Sequence, residues 1–487
     1  MKYFYEKMLH IFKTSPATFY TYYGQTYSYK DCYANMVKIN SVLKHFKRAN
    51  IVVYGRKSFS TYCTIFSIFL SQNIWVPLSE LAPPARNLSM AETTTPALIL
   101  TDGSGFPGAV SDYAAKSNIP VENIEEIIQQ EAGEEFILGD FLADDLAYIM
   151  FTSGSTGIPK GVPMTNANYI NFVENALEIL PFEKHEVFSD YHGFSFDISI
   201  FYLFCAVFTE SAFAPIIENE ERFFPLNNII ENRVTVWSSV PSVITRIQMI
   251  RKDDIIDTPI KIMFLCGEPF KLDVLKFCYN NLGIKHVYNF YGLTETGVEN
   301  FYHKCSISDL QKYEMKGFVP IGRPLKGNDI LLDADNQLLI SGVQVTPGYL
   351  GNRETERFAE IDGKRWYKTG DIVQRYEDVY FCKGRMDSQL KLGGYRVELM
   401  DIETHIRRYP AVTDAVCFVT GTDSETLVAA VESGILDEKG LKAYLKECLP
   451  PYMVPKKLFQ LNEFPKNANG KTDRKKIKLL YTGSEDI

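Results

Sequence analysis

Residues 146–161 read Leu146-Ala147-Tyr148-Ile149-Met150-Phe151-Thr152-Ser153-Gly154-Ser155-Thr156-Gly157-Ile158-Pro159-Lys160-Gly161. An apolar run of strand character ends in a loop of glycines, hydroxyls and one lysine. Glycines let backbone N–H groups turn toward an anion, Ser and Thr hydroxyls add donors, and the Lys adds a point charge, which together make a nest for a polyphosphate. The spacing is neither G-x-x-x-x-G-K-[ST] nor G-x-G-x-x-G, so neither the P-loop nor the dinucleotide mechanism carries over.

On both sides of this loop, short β-rich runs alternate with helical patterns. Strands are expected at Ile51–Tyr54, Trp75–Leu78 and Ala97–Thr101, with a helix over Ser58–Leu70. The pattern returns as strands Val234–Ser238, Lys261–Cys266 and His286–Phe290, with helices Val243–Ile250 and Leu272–Leu282. A layered α/β fold with largely parallel sheets follows. Ile330–Leu332 and Leu338–Ile340 flank Asp333-Ala334-Asp335-Asn336, the turn chemistry of a hairpin, and predict an antiparallel β subdomain. After Gly384-Arg385-Met386-Asp387 the chain changes texture. A helix over Leu399–Arg408, strands Ala415–Val419 and Leu427–Val431, and a helix over Asp437–Cys448 predict a small α+β domain.

Length and composition bound the function. The chain has 487 residues, 46% hydrophobic and 23% charged, which suits one large domain plus a smaller one. The net charge is −9, and no Lys/Arg block tracks phosphates, so nucleic acid is not expected as a partner. Nine cysteines stand without any C-x-x-C pair, which argues against a disulfide framework or a zinc site and for a reducing compartment. The most apolar stretches, Thr61–Leu70 and Ile198–Phe208, fall short of the about 20 residues that span a bilayer and read as buried helices. No membrane insertion and a cytoplasmic location are expected.

The phosphate loop resembles the signature of the adenylate-forming superfamily, which unites acyl-CoA synthetases, firefly-type luciferases and amino-acid adenylation domains. Further stretches stand in that superfamily's order: Tyr291-Gly292-Leu293-Thr294-Glu295, Tyr367-Lys368-Thr369-Gly370-Asp371, Gly384-Arg385-Met386-Asp387, Lys391-Leu392-Gly393-Gly394-Tyr395-Arg396-Val397-Glu398 and Asn469-Gly470-Lys471. The resemblance covers residues 20–480. It implies a large N-terminal domain over residues 1–386, built of two layered sheets and a small β-barrel subdomain, and a mobile C-terminal domain over 387–487 that rotates about Asp387.

The resemblance also implies roles. ATP is the nucleotide, held by Thr152, Ser153, Gly154, Ser155, Thr156, Gly157, Lys160, Asn289, Tyr291, Thr294, Asp371, Arg385 and Lys471. Tyr291 lies against adenine, Asp371 accepts the ribose hydroxyls, and Arg385 adds a second ribose contact. Glu295 is the acid associated with Mg²⁺, which screens the phosphates during attack on the α-phosphorus. Lys471 stabilises charge on the α-phosphate, and Thr152, Glu295 and Lys471 form the catalytic set.

Phe196-Asp197-Ile198-Ser199 matches the F-D-x-S of amino-acid adenylation domains, where the Asp pairs with a substrate ammonium, a partner that a buried cation needs. Asp197 as a cap for a helix starting near Ser199 is the plainer alternative. The other substrate positions are Phe201, Ser238, Cys266, Phe290 and Val298. Three phenylalanines, Phe201, Phe264 and Phe290, favour a small side chain. Val236-Trp237-Ser238-Ser239-Val240-Pro241-Ser242, Met263-Phe264-Leu265-Cys266-Gly267-Glu268 and Pro451-Tyr452-Met453-Val454-Pro455 resemble the D-alanine:D-alanyl carrier protein ligases. In those enzymes a Cys matching Cys266 contributes to choosing the D enantiomer; as plain core filler it has no such role. Glu299 is read as an exposed surface acid, and facing the pocket it would instead suit a basic substrate.

The expected activity is AMP-forming ligation. A small amino acid and ATP give aminoacyl-AMP and pyrophosphate, and the acyl group passes to a phosphopantetheine thiol. Nine residues follow Lys478, so the carrier protein is expected on a separate chain. A stand-alone nonribosomal-peptide-type adenylation enzyme for another amino acid, and a carboxylic acid:CoA ligase, are the alternatives.

Overall fold

The computed structural model describes residues 1–131, 135–154, 158–252, 254–351, 355–386, 389–392, 394–410, 412–421, 425–466 and 472–483. Among them, three sheets build the larger N-terminal part. A six-stranded sheet runs Val121–Asn123, Leu98–Thr101, Asn50–Tyr54, Ile74–Pro77, Leu146–Thr152 and Lys160–Thr165. A nine-stranded sheet has Val236–Ser239, Ile262–Leu265 and His286–Tyr291 adjacent and parallel near its centre. Parallel strands need helical crossovers that cover both faces, and their near-continuous apolar composition follows from that burial.

Two of the crossovers carry no charged residue and are buried on nearly every side, their few hydroxyls included. Phe59–Leu70 starts at Ser58, whose side chain accepts from Thr61 N–H, and Ser199–Phe208 is buried over nine of its ten residues. They meet through Phe69 and Phe204, whose rings cross edge to face with centroids 5.0 Å apart, so one core joins the two sheets. The N-terminal helix Lys2–Thr14 docks on the same core, with Tyr5 stacked on Phe141. No helix among the described residues is long and apolar enough to cross a membrane.

The third sheet is antiparallel, with Asn328–Leu332 and Gln337–Gly342 as the expected hairpin and the long strand Lys364–Tyr376 at its centre. The smaller C-terminal part has its own core, centred on Val397, Ile402, Ala429, Leu441 and Leu445. It comprises the hairpin Gln389–Leu392 and Tyr395–Glu398, a three-stranded sheet, and helices that include Leu399–Arg407 and Glu438–Cys448.

Candidate active site

The phosphate loop is closed at its base by antiparallel pairing of Thr152 with Lys160, which brings the lysine back beside the threonine. At Gly154 any Cβ would stand 2.1 Å from the Ile158 carbonyl oxygen, so only glycine fits there. Thr152 Oγ1 is buried without a hydrogen-bond partner, and Lys160 is buried with its Nζ 5.5 Å over the Tyr349 ring. Ser155, Thr156 and Gly157 lie outside the described residues, as do Asp387 and Lys471.

The strand His286–Tyr291 supplies Asn289, whose Nδ2 donates to the Pro320 carbonyl while its buried Oδ1 accepts nothing. An orphaned buried acceptor is costly, and a ligand amine would satisfy it. Tyr291 OH donates to Asp371 Oδ2 at 2.5 Å, and Arg385 Nη1 to Asp371 Oδ1 at 2.7 Å. Asp371 and Arg385 are register partners across an antiparallel pair, so this contact is set by the sheet. Each carboxylate oxygen keeps a second lone pair for a further donor.

Glu295 sits in a single 3₁₀ turn, Thr294–Thr296, and is fully buried. Tyr349 OH donates to its Oε1 at 2.8 Å, and Arg396 Nη1 to its Oε2 at 2.5 Å. Burial alone would push this carboxyl up; Arg396, then Lys160, outweigh burial and hold it down at about 2. Arg396 belongs to the C-terminal hairpin. Its carbonyl accepts from Ser153 Oγ at 3.4 Å, and the Glu398 N–H donates back to Ser153 Oγ at 3.2 Å. Gly394 in the same hairpin has φ +85°, and a Cβ there would lie 2.5 Å from Val240 Cγ1. A second ion pair, Arg86 with Asp401 at 3.3 Å, also joins the two parts and is nearly buried.

One cavity runs from Thr152 and Arg385 past Asp197, Cys266 and Val298 to Tyr452. The helix Ser199–Phe208 takes Ile198, not Asp197, as its capping residue, so Asp197 faces the cavity in the turn before the helix. Three expected wall residues are not among those that line it. Phe201 and Phe290 sandwich Phe264, with ring centroids 4.2 and 4.1 Å apart, and all three are buried. Ser238 is fully buried on the strand Val236–Ser239. These positions lie on elements buried on both faces, where apolar sequence does not reveal which face meets a ligand. Glu299 corrects the reading in the other direction: it is 4% exposed and lines the cavity.

The sequence reading gave no role to Arg396, Tyr349 or His192. Arg396 stood inside a quoted motif, whereas nothing local marks Tyr349. His192 lines the cavity, and burial, then Lys57 and Arg222, depress its imidazole to about 3. Behind it Lys57 Nζ lies 2.8 Å from Asp190 Oδ1, both buried, and burial brings the lysine down to about 8.

Residues 10–350 match the AMP-binding enzyme family, and residues 401–471 match the AMP-binding enzyme C-terminal domain. The chain belongs to the AMP-binding enzyme family. This AMP-binding enzyme is 32% identical over 448 residues to the L-proline--[L-prolyl-carrier protein] ligase of Streptomyces coelicolor, covering 83% of this chain and 82% of that one. It is 27% identical over 479 residues to the D-alanine--D-alanyl carrier protein ligase of Lactococcus lactis, covering 93% and 94%. Its fold matches a Vibrio cholerae adenylation domain crystallised with glycyl-adenosine-5'-phosphate, with TM-score 0.82 at 21% identity over 99% of this chain and 98% of that one.

Proposed function

We propose that this AMP-binding enzyme activates a small amino acid, D-alanine first, and transfers it to the phosphopantetheine thiol of a separate carrier protein. In the first step a substrate carboxylate oxygen attacks the α-phosphorus of ATP, and pyrophosphate leaves. In the second the thiol sulfur attacks the acyl carbon, its proton passes to solvent, and AMP leaves.

One observation carries this reading: a carboxylate, Asp197, stands in the same cavity as the phosphate loop and the Arg385 end of the ribose contacts. A carboxylate there suits an ammonium-bearing substrate, since a buried cation needs a partner. The orphaned Asn289 Oδ1 and Thr152 Oγ1 fit an adenine amine and a phosphate oxygen, and Asp371 with Arg385 fits a ribose. Mg²⁺ would screen the phosphates, and Glu295 is the carboxylate that would hold it. The relatives named as carrier-protein ligases for D-alanine and L-proline support an amino-acid substrate and a carrier acceptor.

The stacked bulk of Phe201, Phe264 and Phe290 supports a small side chain, and Cys266 is the residue we assign to enantiomer choice. The burial of Glu299 at the cavity favours one second reading, an amino acid with a basic side chain. Pyrophosphate exchange across D- and L-amino acids and simple carboxylic acids tests both. Fastest exchange with D-alanine upholds the first reading, preference for lysine, ornithine or arginine replaces it with the second, and preference for an acid without an amine overturns both.

A further inference from the structure

We propose that His303, Cys305 and Asp309 form a binding site for a transition-metal dication of the Zn²⁺ class, outside the active site. A strand and the turn after it bring the three together. His303 lies in Phe301–Lys304, Cys305 directly follows that strand, and Asp309 stands in the next helical turn. Taking one ligand atom from each, the imidazole nitrogen, the sulfur and the carboxylate oxygen all lie within 4.8 Å of one another. His303 Nε2 is 2.8 Å from Asp309 Oδ2, and the Ser306 N–H holds the same oxygen at 2.9 Å. Cys305 and Asp309 are buried, and the His303 side chain is 13% exposed, which leaves an entry path.

The geometry and the donor set agree. Zinc bonds of about 2.0–2.3 Å set tetrahedral ligand atoms about 3.3–3.8 Å apart, so the observed spread closes on an ion through side-chain rotations of the order of an ångström. Thiolate and imidazole are borderline-soft donors that select Zn²⁺ or Co²⁺, whereas Mg²⁺ takes oxygen ligands. Thiolate and carboxylate together supply two negative charges, so a dication leaves the buried cluster neutral. On binding, the thiol proton leaves to solvent, and the imidazole coordinates by one nitrogen with its proton on the other. A water fills the fourth position on the exposed His303 side.

The location gives the site a consequence. His303 is the register partner of Asn289, and the Cys305 N–H donates to the Val287 carbonyl, so both flank the strand that carries Asn289. An ion there would fix the back of that strand.

The test uses the full chain freed of metal with a chelator and titrated with Co²⁺ alone, and it needs no catalysis, so it stands apart from the proposed function. We expect one equivalent of Co²⁺ to raise a thiolate-to-cobalt charge-transfer band that Zn²⁺ abolishes and excess Mg²⁺ leaves in place. Cys305→Ser should remove the band, Asp309→Asn should weaken affinity about tenfold or more, and Cys382→Ser, at an exposed cysteine, should keep both. Should Cys305→Ser fail to fold by its thermal melt, His303→Gln, which keeps the thiolate, should weaken Co²⁺ affinity about tenfold or more. No band in the folded wild type, a band that survives Cys305→Ser, an unchanged Co²⁺ affinity in His303→Gln, or a band bleached by Mg²⁺ would each overturn the site.

Discussion

Arg396 Nη1 stands 2.5 Å from Glu295 Oε2, so a guanidinium from the C-terminal hairpin occupies the carboxylate expected to attend the divalent cation. Tyr349 holds the other oxygen, and on the proposed function Mg²⁺ would compete with the Arg396 guanidinium for Glu295. Arg396→Ala should therefore lower the Mg²⁺ concentration for half-maximal pyrophosphate exchange, and slow acyl transfer by about tenfold or more through loss of a buried pair. Mg²⁺ titrations of each half-reaction measure this; an unchanged Mg²⁺ dependence would refute the competition.

Lys471→Ala should have the opposite profile. Removing one preorganised donor costs about 10²–10³ in rate, so adenylate formation should fall by that factor while transfer from supplied aminoacyl-adenylate survives. Asp387→Pro fixes φ near −65° at the proposed pivot and should retain adenylation but lose transfer. Equal losses in both half-reactions for each variant would show that no rotation separates them.

Asp197→Ala should abolish amino-acid activation, by about 10²-fold or more, while ATP affinity stays close to wild type, because the change strips the ammonium partner and no nucleotide contact. Equilibrium ATP binding alongside pyrophosphate exchange decides it, and full exchange activity in the variant would sink the assignment.

Acid should destabilise the fold through His192. Its folded-state pKa of about 3 lies below the usual 6.5, so between those values the unfolded chain binds more protons. Stability therefore rises with pH across that window, is fully present above 6.5, and falls by about 1.4 kcal/mol per pH unit below it. Glu295, held at about 2, adds a loss of the same sign only below about 4.5. Urea unfolding of wild type and His192→Gln between pH 6.5 and 4.5 isolates the histidine: the variant should show the shallower slope.

Val298 lines the cavity with φ +73°, a left-handed backbone that strains a β-branched residue. Val298→Gly and Val298→Ala both remove the branched side chain, but only glycine relieves the backbone. The glycine variant should be the more stable by about 1–2 kcal/mol in denaturant unfolding; a more stable alanine variant would show that the φ carries no strain.

Much of this architecture was legible locally. The charge-free, mostly apolar stretch Thr61–Leu70 announces a buried helix, and Asp333-Ala334-Asp335-Asn336 announces its hairpin, because such signals are written in adjacent residues. What escaped was long-range or two-sided. Arg396 and Glu295 are separated by 101 positions, and nothing near either residue names the other. Phe201, Phe264 and Phe290 stack on one another, yet strands and helices buried on every side carry no polar face to show which ring meets a ligand. Glu299 misled for the reverse reason: an acid beside a turn is ordinarily at the surface, and here the turn folds inward.

The stacked plates Phe201, Phe264 and Phe290 give this pocket an evolutionary grain. Rings spaced 4.2 and 4.1 Å apart make depth available in discrete increments, not continuously. Trimming one plate to alanine leaves a void that costs about 3–5 kcal/mol when empty. A longer substrate side chain that enters the void recovers part of that loss only while bound. A lineage drifting toward bulkier substrates would then pass through variants whose folding leans on their own ligand, and such intermediates should be recognisable by thermal melts that rise steeply with substrate concentration.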